Sequence, residues 1–234
     1  NYKVDQSFVN QMINASALDN GLHAGDLKFV DLDGNNKIEQ TTSANDRKDM
    51  KVIGNSLPRY NYNFGISADW YGIDFSVLFQ GIGKQNWYPG AETSMFWGPY
   101  SRPYASFIPS DFMSQVWSEE NTNAYFPRPR GYVALGSNRE LAVVNTKYLQ
   151  NLAYCRLKNL SIGYTLPDKW LSKIGFEKIR VYFSGENLLT FTKLHSDYID
   201  PEQASASNSW KTSKSDANIY PWAKTYSFGV DITF

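Results

Sequence analysis

The feature that most constrains this chain is an alternation of apolar and polar residues that recurs in five stretches. Between Tyr60 and Trp70 every second residue is apolar, and the residues in between are Asn, Gly, Ser or Asp. An alternation of this length puts one set of side chains on each face of an extended strand and does not fit the period of a helix. We therefore predict an all-β chain with about five strands, at 59–71, 72–87, 148–166, 178–191 and 221–234.

The connections between these strands alternate in length. A few residues around Tyr71 and Gly72 separate the first two strands, and a short segment from Pro167 separates the third and fourth. In contrast, long polar and aromatic stretches occupy 88–147 and 192–220. Antiparallel strands of about ten residues with short turns at one end and long loops at the other are typical of outer-membrane barrels.

A soluble β-sandwich is the alternative architecture, since its strands also alternate between a buried and a solvated face. Its strands are usually shorter, at about five or six residues, and its loops do not lengthen at one end only. The sequence therefore favours strands of a large antiparallel transmembrane β-barrel over 58–234, preceded by a loop region over 1–57.

The overall composition narrows the choice of function. The chain has 234 residues, 23 basic and 23 acidic side chains, and 16% aromatic residues. This balanced charge argues against nucleic-acid binding, because a phosphate lattice favours a clustered basic face. One cysteine excludes an internal disulfide framework, and no apolar run is long enough for a spanning helix. Rings near the predicted strand ends, such as Trp70, Tyr164 and Tyr226, suit the headgroup level of a membrane.

Five strands cannot close a membrane barrel on their own. Single-chain barrels begin at about eight strands, and the backbone groups at each edge must be paired. We therefore expect the edge strands to pair with the remainder of the same protein, and the apolar face to contact outer-membrane lipid.

Several segments also resemble a known family, in the same order along the chain. They include Gly-Asp-Leu-Lys-Phe-Val-Asp-Leu-Asp-Gly at 25–34, Arg-Leu-Lys-Asn-Leu-Ser-Ile-Gly-Tyr-Thr-Leu-Pro at 156–167 and Gly-Glu-Asn-Leu-Leu-Thr-Phe at 185–191. Further segments lie at 2–10, 52–55, 72–81, 117–128, 200–202, 220–221 and 225–234. Together they resemble the C-terminal portion of SusC/RagA-type TonB-dependent outer-membrane transporters.

The resemblance implies a barrel of about 22 strands with an internal plug, in the outer membrane of a Gram-negative bacterium. It implies nutrient import powered through TonB, with oligosaccharides ahead of peptides as substrates and a SusD-like surface lipoprotein as partner. The plug and the TonB-engaging segment would lie upstream, and the long loops would be extracellular. The sequence holds no nucleophile elbow, P-loop or paired metal-binding histidines, so no catalytic residue, enzymatic activity or organic cofactor is predicted.

A separate signal is the acidic stretch at 31–39, Asp-Leu-Asp-Gly-Asn-Asn-Lys-Ile-Glu. Oxygen ligands at its first, third, fifth and seventh positions suit a hard cation such as Ca²⁺. It departs from the EF-hand pattern at Asn36, which replaces a glycine, and at Thr42, which replaces the bidentate glutamate. The resemblance implies a later aspartate, which Asp46 would match only across a short insertion. The candidate ligands of a structural ion are Asp31, Asp33, Asn35, the carbonyl of Lys37, Glu39 and Asp46. An Asx-rich turn without metal is the alternative.

Aromatic and basic side chains in and just before the loop 88–147 suit substrate binding. Flat rings can stack on sugars, and arginine can bind anionic groups. The candidate substrate-binding residues are Trp87, Tyr88, Trp97, Tyr100, Tyr104 and Arg102. Packing of the rings on the loop itself or on a partner protein is the favoured alternative. If the chain were a soluble extracellular β-sandwich, the same rings and the Ca²⁺ loop would form a glycan-binding module.

Two basic residues interrupt the alternation of the third strand. Arg156 and Lys158 fall on the apolar side together with Leu160 and Ile162. Either the strand projects above the membrane there, which we favour because charges inside the bilayer are costly, or a bulge shifts its phase.

Overall fold

Five long strands form one antiparallel sheet in the computed structural model. They are β1 (Arg59–Trp70), β2 (Ile73–Lys84), β5 (Tyr154–Thr165), β6 (Lys178–Thr192) and β8 (Thr225–Thr233), numbered in chain order. Neighbours in the sheet follow the order β1-β2-β5-β6-β8, and the sheet stays open at its two edge strands. The structure describes residues 23–41, 43–101, 108–130, 134–136, 140–173, 175–207, 214–215 and 220–234. The predicted all-β fold with about five antiparallel strands is confirmed.

Short elements fill the connections. The short strands are β3 (Asn86–Pro89), β4 (Gln150–Asn151) and β7 (Lys214–Ser215). The helices are α1 (Ser94–Trp97), α2 (Asp168–Leu171) and α3 (Pro201–Ser207), and single 3₁₀ turns lie at Gly98–Tyr100 and Phe112–Gln115. No helix in the described part of the chain has both the length and the apolar character needed to cross a membrane.

The register of the large sheet gives it an apolar and a polar face. On the apolar face the rings of Phe64 and Phe79 stack across β1 and β2, and Phe183 contacts Phe228 across β6 and β8. Side chains on this face remain exposed: Phe64 by 49%, Val230 by 59% and Phe228 by 82%. A β-sandwich would cover such a face with a second sheet, so this exposure supports a wall that faces lipid.

The turn between β1 and β2 is the shortest connection that allows two antiparallel strands. Trp70 and Ile73 pair directly, and the two residues between them, Tyr71 and Gly72, have φ of 48° and 83°. Positive φ at both central residues is the requirement of a type I′ turn, whose twist matches that of the strands. This turn therefore fixes the register that separates the two faces.

An irregularity in β5 accounts for the two basic residues that interrupt the alternation. Pairing with β2 steps from Asn159 directly to Leu157, so Lys158 is skipped and the phase of the strand shifts. Leu157 then shares the apolar face with Phe79, whereas Arg156 falls on the polar face. The bulge, which is the alternative to a strand that projects above the membrane, thus places the arginine on the polar face.

An ion-pair chain crosses the polar face close to the hairpin turn. Arg180 on β6 reaches over Gly163 on β5 and donates from Nε and Nη2 to the Asp74 carboxylate at 2.8 and 2.6 Å. Its Nη1 donates to Asp231 on β8 at 3.2 Å. A Cβ on Gly163 would collide with the side chains of both Asp74 and Arg180, so the glycine provides the space for this contact.

The chain divides into two compact units, each with its own set of contacts. One, here the loop unit, comprises Asn1–Gly54, Tyr88–Leu149 and Ser207–Asn218. The other, here the sheet unit, comprises Asn55–Trp87, Gln150–Ala206 and Ile219–Phe234 and holds all five long strands. Much of the predicted loop 192–220 therefore packs with the strands in the sheet unit.

Gly81 on β2 is a point of close packing on the apolar face. The Tyr62 side chain passes over it, and its hydroxyl donates to the carbonyl oxygen of Tyr154 at 2.9 Å. A Cβ at position 81 would collide with both of these oxygens.

We expect Gly81→Ala to lower the free energy of unfolding by about 1–3 kcal/mol, because the added methyl group overpacks this contact. Gly83→Ala, on the same strand, is the matched control with a smaller loss, since the nearest atom to its Cβ is Tyr60 Cβ at 3.1 Å. Urea unfolding of the complete protein in lipid vesicles measures both. Equal losses for the two variants would contradict the packing described.

Candidate functional site

The acidic stretch at 31–39 folds as a tight loop that its own carboxylates close. Asp31 accepts the backbone N–H of Gly34 at 2.7 Å and that of Asn36 at 2.8 Å. Gly34 and Asn36 have φ of 76° and 62°, a conformation that glycine and asparagine tolerate better than other residues. The asparagine that departs from the EF-hand pattern therefore still permits the required turn.

Three carboxylates converge at this loop. Asp31, Asp33 and Asp49 each offer one oxygen, and these atoms all lie within 4.8 Å of one another. Asp49 is held in position by the backbone N–H groups of Leu32 at 2.7 Å and Glu39 at 2.6 Å. It thereby ties the loop to the chain that follows.

Asp49 is absent from the ligand set that the sequence predicts, whereas Asp46 belongs to that set and pairs with Lys48. The Asp46 carboxylate lies 3.2 Å from the ammonium of Lys48, and this hydrogen bond raises the pKa of Lys48. Asp49 stands three residues before Val52, where the resembling segment 52–55 begins. Its proximity to that segment is the sequence signal that could have identified it.

The other predicted ligands lie on the loop itself. Asn35 donates from Nδ2 to Asp33 at 3.1 Å and to Glu39 at 3.3 Å. Its Oδ1 accepts the backbone N–H of Lys37 at 2.8 Å. Glu39 also lies 3.8 Å from the Lys48 ammonium. The side chains at the loop therefore offer oxygen atoms as metal ligands, and oxygen is the ligand that hard cations prefer.

The Asp31 carboxyl has a net downward pKa shift. Desolvation raises its pKa, but hydrogen bonds, led by those from the N–H groups of Gly34 and Asn36, together outweigh this and hold the pKa below its ordinary value of 3.8. Its contribution to folding is therefore present above that ordinary value and is lost as the pH falls through the lower folded-state pKa. At neutral pH the carboxylate is charged and can accept a cation.

Aromatic side chains form the core of the loop unit. Phe126 lies at its centre, with ring centroids 4.7 Å from Phe112, 4.9 Å from Tyr125 and 5.6 Å from Phe96. Trp97 contacts Phe96 edge-on at 4.8 Å. Edge-to-face and offset contacts of this kind add to the stabilisation that comes from burial alone. This set, the aromatic core, comprises Tyr88, Phe96, Trp97, Tyr100, Phe112, Tyr125, Phe126 and Tyr148.

Tyrosine hydroxyls in the aromatic core bind backbone carbonyls. Tyr88 donates to the Leu141 oxygen at 2.7 Å, and Tyr100 donates to the Pro127 oxygen at 2.5 Å. Desolvation raises the pKa of Tyr88, Tyr100 and Tyr148 well above the usual range. These hydroxyls therefore remain neutral donors at physiological pH and cross-link the loop unit internally.

The predicted substrate-binding residues fall in three settings. Three are buried in the aromatic core with at most 1% exposure: Tyr88, Trp97 and Tyr100. Trp87 belongs to the sheet unit and is also buried. Arg102 and Tyr104 lie outside the described residues. Because a buried ring has no free face for a sugar, this arrangement favours the alternative in which the rings pack the loop on itself.

We expect Trp97→Ala to destabilise the loop unit by about 3–5 kcal/mol, because it empties the aromatic core of a fully buried ring. Trp170→Ala removes the same side chain from a position that is 60% exposed, and it should leave the loop unit unchanged. Limited proteolysis of residues 88–149 in the complete protein measures the difference. If Trp97→Ala weakened substrate binding and did not increase proteolysis, the ring would instead be a substrate-binding residue.

Known proteins that are similar to this chain in sequence are TonB-dependent receptors. No protein-family model matches the sequence. The chain is 32% identical over 212 residues to TonB-dependent receptor P3 of Formosa agariphila, which covers 88% of this chain and 19% of the relative. It is 26% identical over 227 residues to TonB-dependent receptor P26 of the same organism, which covers 95% of this chain and 21% of the relative.

Solved structures agree with the sequence relatives on the fold. The RagAB peptide importer in its open-open state matches 88% of this chain with a TM-score of 0.57 and 22% identity, and 20% of that chain is covered. The closed-closed state gives a TM-score of 0.53 at 23% identity. The chain thus spans about a fifth of the length of the proteins it matches. Together with the two-faced antiparallel sheet, these matches show that the chain corresponds to a portion of a SusC/RagA-type TonB-dependent receptor of the outer membrane.

Proposed function

We propose that this chain supplies barrel wall and extracellular loops to a TonB-dependent nutrient importer. The observation that carries the proposal is the single sheet with an exposed apolar face and a polar face crossed by ion pairs. One face suits lipid and the other suits a hydrated lumen, which is the arrangement of a transport barrel. The importer would perform no chemistry on its substrate and would draw its energy from the proton-motive force through TonB.

The substrate class follows from the family and not from the described residues. Oligosaccharides are the first candidate and peptides the second. RagAB, which shares the fold, is a peptide importer, and this supports testing both classes side by side. A SusD-like surface lipoprotein is the proposed partner on the outside of the cell, and TonB is the proposed partner in the periplasm.

We expect cells that lack the complete receptor to lose uptake of one substrate class, either oligosaccharides or peptides. Fluorescently labelled members of each class measure uptake in whole cells. Uptake should also stop in the wild type when the proton-motive force is dissipated, because TonB depends on it. Uptake that is unchanged in the deletion strain for every oligosaccharide and peptide supplied would contradict the proposed function.

A structural Ca²⁺ ion is proposed at the acidic loop. The fit rests on the donor set: Asp31, Asp33 and Asp49 bring three carboxylate oxygens within 4.8 Å, and hard cations such as Ca²⁺ prefer such ligands. Bound there, the ion would neutralise the mutual repulsion of the carboxylates and stiffen the loop. Its role is structural, because none of these residues has a catalytic arrangement around it.

We expect Asp49→Asn to weaken Ca²⁺ affinity by about tenfold or more, because it removes one of the three charged oxygens. Asp46→Asn is the matched control, since Asp46 pairs with Lys48 and should not affect affinity. Calorimetric titration of Ca²⁺ into the complete receptor, after treatment with a chelator, measures both variants. A loss with Asp46→Asn but none with Asp49→Asn would restore the ligand set predicted from the sequence.

A further inference from the structure

Charged side chains from two parts of the chain meet on the polar face, away from the hairpin turn. Arg156 on β5 donates from Nη2 to Asp200 at 2.6 Å and from Nη1 to Glu202 at 2.8 Å. Lys158 donates to both carboxylate oxygens of Glu202 at 3.1 Å. Two cations of the wall thus meet two carboxylates of the connection between β6 and β8. These four residues form what we term the ion-pair cluster.

The position of Arg156 follows from the bulge at Lys158. Arg156 pairs with Gln80 on one side and Thr190 on the other, and its Nε donates to the Thr190 hydroxyl at 2.9 Å. Leu157, its neighbour, lies on the apolar face. Since the polar face of a membrane barrel lines the lumen, the ion-pair cluster points into the lumen.

The segment 194–205, which carries the two carboxylates, is packed in place at further points. Ile199 and Ala204 are buried. The hydroxyl of Ser205 donates to Oε1 of Gln85 at 2.6 Å, just beyond the end of β2. The segment is therefore held at its middle by the ion-pair cluster and near its end by Gln85.

Asp200 also organises the chain around it. Its Oδ1 accepts the N–H of Glu202 at 2.9 Å and that of Gln203 at 3.3 Å, where α3 begins. The N–H of Trp222 donates to Oδ2 at 3.4 Å, and the Lys158 ammonium lies 5.3 Å from the Trp222 ring. One carboxylate thus connects β5, the segment 194–205 and the approach to β8.

Burial makes Arg156 the critical member of the ion-pair cluster. Its side chain is 2% exposed and that of Asp200 is 5% exposed, against 22% for Lys158 and 20% for Glu202. A buried cation that loses its carboxylate must be rehydrated or remain unpaired, and the loss of one partner of such a pair is strongly destabilising. Release of the segment therefore exposes both charges to water.

We propose that the ion-pair cluster is a latch that holds the segment 194–205 on the lumen side of the barrel wall. The segment is then a folded constriction of the substrate passage and not a mobile extracellular lid. This inference rests on the proposed importer function for its consequence, but the latch itself is a property of the sheet unit.

The test is the accessibility of Ala204, which is a buried residue of the latched segment. In the complete receptor with Cys155→Ser, Ala204→Cys is labelled on whole cells with a membrane-impermeant maleimide. His195→Cys, at an exposed position of the same segment, reports that the reagent reaches the segment. Arg156→Met and Asp200→Asn should each raise the labelling rate of Ala204→Cys by about tenfold or more.

Arg180→Met is the matched control, because it breaks an ion pair of the same polar face that does not contact the segment. It should leave the labelling of Ala204→Cys within about twofold of the parent. An unchanged rate in Arg156→Met would overturn the latch, and so would an equal rise in Arg180→Met, which would indicate general loosening of the sheet.

Two further measurements cover the remaining outcomes. If Arg156→Met fails to assemble, the partly exposed Glu202→Gln should give a smaller rise, and no rise there overturns the latch. Uptake of short and long labelled substrates then separates the two claims, since a released segment should favour the long substrate. Faster labelling without any uptake of either substrate supports the latch and contradicts the importer, whereas normal uptake with unchanged labelling does the reverse.

Discussion

The exposed apolar face of the large sheet is the constraint on which the other features of the sheet depend. Phe64, Val230 and Phe228 are exposed on that face, and in water such a surface would drive association. Lipid satisfies it without a second layer of protein, so a single sheet is sufficient. The cost is that no unpaired charge can lie on that face. Arginine and aspartate therefore occur on the opposite face, where Arg180 spans from Asp74 to Asp231.

The bulge in β5 is a consequence of the same constraint. Without the skipped Lys158, Arg156 would point toward lipid with Leu160. The shift in phase turns it to the polar side, where Asp200 and Glu202 neutralise it. The local irregularity in pairing therefore has two consequences, since it keeps Arg156 off the apolar face and places it against the carboxylates of the segment 194–205.

The loop unit is stabilised differently, because its residues lie outside the large sheet. The aromatic core, centred on Phe126, stabilises it by burial, and the hydroxyls of Tyr88 and Tyr100 cross-link it through backbone carbonyls. The acidic loop brings the carboxylates of Asp31, Asp33 and Asp49 together, and this is the proposed Ca²⁺ site. The chemistry of these rings would suit sugar binding, but their burial gives them a structural role.

Much of the fold could be predicted from the sequence because strand alternation is a local property. The alternation within a single stretch such as 59–71 is enough to predict its two faces. Gly72 marks the turn between the first two strands. The acidic loop could be predicted in the same way, since the spacing of Asp31, Asp33 and Asn35 is itself local. The convergence of Asp49 on this loop could not be predicted in this way, because it depends on how the intervening chain folds.

The sequence by itself determined the strand class, the approximate number of strands, the two faces and the resemblance to SusC/RagA-type receptors. Only the tertiary structure decided that Arg156 lies on the polar face, that Asp49 joins Asp31 and Asp33 at the acidic loop, and that Trp97 is buried. The physical reason is the same in each case. Register, ion pairing and burial depend on residues far apart in the chain, and periodicity along the sequence contains no information about which of them meet.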